Sequence, residues 1–172
     1  MTVSKAEVNK NKIIDWLKED GIDFKETDVS KLPELEWSLA AGVNPISIYT
    51  VKKLPDRVII QADIGLGEKH KELVNEKWEK PKLNNLLSSF VTSIISLNVR
   101  QRILFDDKKM VRGFRIHDFL IDSLNKENLI KTYVRIDEVV ILTLQRLSSA
   151  LGIEIQKLKQ EQKTGSENPL AG

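Results

Sequence analysis

At 172 residues, with 41% hydrophobic and 30% charged side chains, the chain has the composition of one soluble globular domain with its own core. A net charge of +2 gives no global field that would hold nucleic acid or an anionic membrane. The absence of cysteine excludes disulfides, thiol catalysis, iron–sulfur clusters and the usual structural zinc sites, and fits a reducing compartment.

The start, "MTVSKAEVNKNK", lacks the apolar core of a secretory signal, so a cytoplasmic protein is expected. Ser4 and Glu7 have capping-box spacing, Ile13, Ile14, Trp16 and Leu17 form an apolar stripe, and Gly21 suits the residue after a helix C-cap. These features predict a first helix. A polar connection, "DFKETDVSKLPE", follows it. Three strand-like runs come next, "EWSLAAGV", "ISIYTVKKL" and "RVIIQADIGL", separated by Asn44-Pro45 and Pro55-Asp56. In the third run Val58, Ile60, Ala62 and Ile64 make one apolar face. Short turns between consecutive strands imply an antiparallel meander.

After Gly65 and Gly67 the pattern becomes helical, first in "EKHKELVNEKWEK" and then, from Pro81, along Leu83, Leu86, Leu87, Phe90, Ile94 and Leu97. The stretch from Leu83 to Val99 has no charged residue, but its Ser, Thr and Asn residues argue against a membrane span. A helix with small uncharged residues on its outer side is expected to be covered, and Leu86, Ser89, Phe90, Ser93 and Ile94 are the expected dimer or packing surface. "RQRILF" and "GFRIHDFLI" read as two strands around the turn "DDKKM", and a long helix runs from near Asn125 through Val140, Leu144, Leu147 and Leu151. The order α-βββ-α-ββ-α predicts an α+β domain over residues 1–157, with a mostly antiparallel five-stranded sheet packed with helices. Residues 158–172 read as a flexible tail.

Candidate chemistry is sparse. "DIGLGEKH" places Gly-x-Gly between a strand and a helix, as a phosphate-binding turn would. Its third glycine position is His70, however, and the preceding strands form no βαβ unit. His70 and His117 stand alone, and Asp63, Asp106, Asp107 and Asp118 match no calcium loop, so neither a metal nor a cofactor is expected. No Gly-x-Ser-x-Gly elbow is present. Trp16, Trp37 and Trp78 read as anchors of separate elements on one core. The hairpin from 100 to 115 is locally basic through Arg100, Arg102, Lys108, Lys109, Arg112 and Arg115, a candidate interaction surface opposed only by Asp106 and Asp107. Alternation puts Arg100 and Arg102 on one face and Ile103 and Phe105 on the other; Phe105 and Phe114 are expected inward, leaving no stacking platform. In "VRGFRIHDFL" the apolar register changes near His117 and Asp118, which suggests a bulge, a strand end or a strand covered on both sides.

The element order, carried by "EWSLAAGVNPISIYTVKKLPDRVIIQADIGL", "LNNLLSSFVTSIISLN" and "RILFDDKKMVRGFRIHDFLI", resembles the type III secretion chaperone-like superfamily over Val8 to Leu151. That resemblance implies a non-enzymatic homodimer that binds an extended segment of another protein along apolar grooves. Secretion chaperones tend to be acidic, whereas this chain has a pI of about 8.7. The expectation is therefore a non-catalytic protein-binding domain, chaperone- or scaffold-like, whose partners are a second copy and another protein, with no membrane. Binding of nucleic acid or another polyanion through the 100–115 hairpin is the alternative. An enzyme using His117 with Asp118 or a nearby carboxylate ranks third, because neighbours on a strand point to opposite faces unless the strand bulges there.

Overall fold

A computed structural model describes residues 4–44, 46–72, 74, 75, 85, 88, 99–121 and 124–151. Helix α1 (Lys5–Glu19) begins where Ser4 Oγ accepts the Glu7 amide at 3.2 Å. It ends in a Schellman motif. Gly21, at φ +65°, donates its amide to Lys18 O, and Ile22 donates to Leu17 O at 2.8 Å. Leu17 is buried and Ile22 packs against the core beside it, so the cap is also an apolar clasp.

That clasp turns the chain back along the sheet and creates an element the sequence pattern hides. Strand β1 (Phe24–Glu26) lies within the stretch expected to be a polar connection, and it pairs antiparallel with β2 (Leu35–Ala41) from Phe24↔Ala41 to Glu26↔Leu39. Among the described residues the sheet thus has six strands, not five. With β3 (Ile46–Val51), β4 (Arg57–Gly65), β5 (Arg100–Phe105) and β6 (Val111–Ile121), its order is β1-β2-β3-β4-β6-β5, and every described pairing is antiparallel. The β2–β3–β4 meander and the β5–β6 hairpin follow the sequence expectation. β4 leads into a five-residue helix α2 (Glu68–Glu72), but antiparallel neighbours on both sides of β4 remove the crossover that a dinucleotide turn requires.

Helix α3 (Lys126–Leu151) is 26 residues long, and Asn125 Oδ1 caps it by accepting the Asn128 amide at 2.8 Å. It lies with α1 on one face of the sheet. Leu129, Ile136, Val139, Val140, Leu144 and Leu147 from α3 meet Leu39, Ile48, Ile60, Ile64, Phe114 and Ile116 from the strands in one core. Trp37 is 4% exposed, and its indole N–H donates to Ala6 O at 2.9 Å, joining β2 to α1; Trp16 packs against the edge of the same core. Trp78, most of the expected 83–97 helix, with Leu86, Ser89, Phe90, Ser93 and Ile94, and the 158–172 tail lie outside the described residues. Among the described residues, no helix is long and apolar enough to cross a membrane.

Candidate functional site: the open sheet face and the β5 edge

The face of the sheet away from α1 and α3 is polar. Register fixes its members, because directly opposed residues share a face. Arg100 of β5 lies opposite His117 of β6, and His117 lies opposite Gln61 of β4. One pair along, Arg102 lies opposite Arg115, which lies opposite Asp63. Arg115 and Asp63 form a bidentate ion pair at 2.7 and 2.6 Å, and this bond to the carboxylate raises the Arg115 pKa above its ordinary value. Tyr49 of β3 donates its hydroxyl to Gln61 Oε1 at 2.9 Å, while burial raises the Tyr49 pKa. The Arg100 guanidinium sits 3.9 Å from the Phe119 ring centroid, and that of Arg57 lies 4.9 Å from the same ring.

His117 is central to this face. Burial lowers its pKa first, the nearby Arg100 and Arg115 charges lower it further, and Asp118 and Asp63 oppose the change. Its Nδ1 is buried and has no hydrogen-bond partner among the described residues. The β4–β6 register runs without a break from Arg57↔Ile121 to Gly65↔Gly113, so the register change expected at His117 is not a bulge. Phe114, Ile116 and Leu120 point inward with a half-buried Asp118 among them, while His117 and Phe119 point outward. What mimics a break is an aromatic on the polar face, held there by two arginines.

The second feature is an edge. β1 closes one side of the sheet with three residues; β5 closes the other with six, and among the described residues it is paired only with β6. Residues Gln101 to Phe105 line an open groove of about 630 Å³. Phe105 is 54% exposed, contrary to the inward position that alternation predicts. The ladder shifts register between Leu104 and Phe105, opposite Val111, and that irregularity turns the end of the strand outward. Phe114, at 1% exposure, is inward as expected.

The basic hairpin divides into unlike parts. Arg100 and Arg102 are exposed on the open face, Arg112 is exposed beside the register shift, and Lys108 and Lys109 occupy the turn. There Asp106 Oδ1 accepts the Lys108 and Met110 amides, each at 2.9 Å, and Lys109 adopts φ +61°. Arg115 is committed to Asp63. Asp63, Gln61, Tyr49 and Phe119 were not part of the sequence-derived surface, and their outward period-2 placement on β3, β4 and β6 is the signal that points to them. No group of three or more His, Cys, Asp or Glu among the described residues is placed to hold a metal ion.

The chain belongs to the uncharacterised conserved protein family DUF2299, whose model matches residues 9–147. No curated protein matches the sequence. In structure the chain is similar to an uncharacterised protein from Methanothermobacter thermautotrophicus, with a TM-score of 0.69 at 13% identity over 82% of this chain and 97% of that one. It is also similar to YbjN from E. coli, a proposed transcription regulator, with a TM-score of 0.46 at 15% identity over 80% of this chain and 89% of that one. At 13% identity the first likeness shows the fold alone.

Proposed function

We propose that this chain is a non-enzymatic protein-binding domain of chaperone or scaffold type, that it works in the cytoplasm as a homodimer, and that an extended segment of another protein adds to its sheet at β5. The observation that carries this reading is the β5 edge. Along its six residues, alternate positions offer backbone groups unpaired among the described residues, with Phe105 exposed at one end and a groove alongside. Soluble proteins usually blunt such an edge, as the three-residue β1 does here, because a bare strand recruits another strand. The resemblance to secretion chaperones points the same way. Self-association is supported by Val134, Ile141 and Leu142, apolar residues 39–45% exposed on the outer side of α3.

A random-peptide display library panned on the immobilised full chain tests the edge. The expected result is enrichment of extended, alternating segments that lose binding to a Phe105→Asp variant. Enrichment no greater than on the bare support, or binding indifferent to that variant, overturns the reading.

A second reading, polyanion binding through the hairpin, is favoured by one observation. None of Arg100, Arg102, Lys108, Lys109 and Arg112 has an ion-pair partner among the described residues. Salt-dependent retention on heparin that falls in the Arg100→Ala, Arg102→Ala, Arg112→Ala triple variant supports it, and unchanged retention removes it.

A further inference from the structure

We infer that the open sheet face carries an oxyanion site, in which Arg100 and Arg102 of β5 and His117 of β6 receive one phosphate-class dianion. This site goes beyond strand addition at β5 and does not depend on it.

The first ground is charge arrangement. Directly opposed residues on neighbouring strands have Cβ atoms about 4.5–5.5 Å apart, and like charges so placed repel. Here Arg102 faces Arg115 and Arg100 faces His117, two adjacent pairs with basic groups on both strands. Among the outward-facing residues of β4, β5 and β6, Asp63 is the one carboxylate, and Arg115 already engages both of its oxygens. Arg57, Arg100 and Arg102 on the same face have no ion-pair partner among the described residues. An anion supplied from outside turns this repulsion into attraction.

The second ground is geometry. Arg100 and Arg102 are two residues apart on one strand, so their Cα atoms are roughly 6.6 Å apart and both stems rise from the open face, within reach of one polyatomic anion. Stacking on Phe119 fixes the plane of the Arg100 guanidinium and leaves its N–H edge free to donate. The Asp63 bond likewise holds Arg115 beside Arg102 as a fixed positive wall. Exposure of Arg100 and Arg102 gives the ligand access.

The third ground is His117, whose buried Nδ1 lacks a partner among the described residues and whose surroundings disfavour the cationic ring. The groups around it are Arg100 on β5, Arg115 and Asp118 on its own strand, and Gln61 and Asp63 on β4. An anion beside Arg100 offsets one of the charges that, after burial, lower the His117 pKa, so binding and His117 protonation are coupled. Lys108, Lys109 and Arg112, at the turn and beside the register shift, take no part.

His117 also provides the readout. A His70→Gln variant leaves it as the one histidine in the full chain, and its ring resonances are followed against pH in inorganic phosphate and in chloride of equal ionic strength. The expected result is a His117 pKa about 1 higher in phosphate, a rise retained in Lys108→Gln/Lys109→Gln and lost in Arg100→Gln/Arg102→Gln. A matching rise with phenyl phosphate assigns the site to a phosphate monoester, and a rise with inorganic phosphate alone assigns it to the free anion. Identical titrations in phosphate and chloride overturn the proposal. So does a rise that survives loss of both arginines while the amide spectrum stays that of the folded chain.

Discussion

Gly65 and Gly113 are opposed across the β4–β6 ladder, yet the structure assigns them opposite tolerances. A Cβ on Gly113 would lie 2.3 Å from Ile64 O, 3.1 Å from Gly65 Cα and 3.2 Å from Ile64 C, all backbone atoms of the neighbouring strand. Nothing lies within 4 Å of a Cβ on Gly65. Gly113→Ala therefore has to move β6 away from β4 by about an ångström to recover ordinary contact distances of roughly 3.5 Å. Overpacking of this kind costs about 1–3 kcal/mol, and stretching one flanking ladder hydrogen bond adds up to about 1 kcal/mol. The expected loss is about 1–4 kcal/mol, or roughly 2–15 °C in Tm for a chain of this length. Gly65→Ala meets no obstacle and should be neutral or stabilising by up to about 1 kcal/mol, through the lower entropy of its unfolded chain. Urea unfolding followed by circular dichroism reads both from the midpoint at constant m, with protomer concentration held fixed because a dimer's stability depends on it. A Gly113→Ala midpoint equal to wild type, or equal damage from Gly65→Ala, refutes the strand placement.

Three further outcomes follow from the same contacts. Because the folded His117 pKa is lowered from about 6.5, the unfolded chain binds the extra proton first as pH falls, so stability should decline below about pH 6.5. Unfolding midpoints between pH 5 and 8 should show that slope, and His117→Gln should flatten it. Asp63→Asn releases Arg115 from a pair whose side chains are 32% and 41% exposed, so the stability loss should stay under about 1 kcal/mol. The same variant should lower the His117 pKa further by removing a favourable carboxylate, as read by NMR. Ile141→Lys places a charge in the exposed apolar side of α3, and light scattering should then report the 19.6 kDa chain mass where the wild type reports twice that value.

Local signals in the sequence were sufficient where a local interaction decides the structure. Ser4, Gly21 and Asn125 each cap a helix with groups no more than five residues away, and the meander turns follow Pro and Asn chemistry. Strand β1 was not legible because three residues with a single apolar side chain carry no period. Its existence rests on pairing with β2, some fifteen residues on. Phe105 was misread because alternation assumes unbroken register, and the shift at Leu104 is settled by the partner strand. The candidate surface was half legible for the same reason. Arg100 and Arg102 share a face by period alone, whereas the binding of Arg115 to Asp63, 52 residues away, depends on which strands become neighbours. Phe119 mimics a register fault because its ring sits on the polar face, with the Arg57 and Arg100 guanidinium groups 4.9 and 3.9 Å from its centroid.

Hydrogen exchange across β5 tests the central claim most directly. In the full chain, amides of residues 100–105 that face the open edge should exchange quickly, and a peptide selected by display should protect them when bound. The largest gain in protection is expected on β5, with none of comparable size on α3. Unchanged exchange in 100–105, or protection concentrated between Val134 and Leu142, would contradict it.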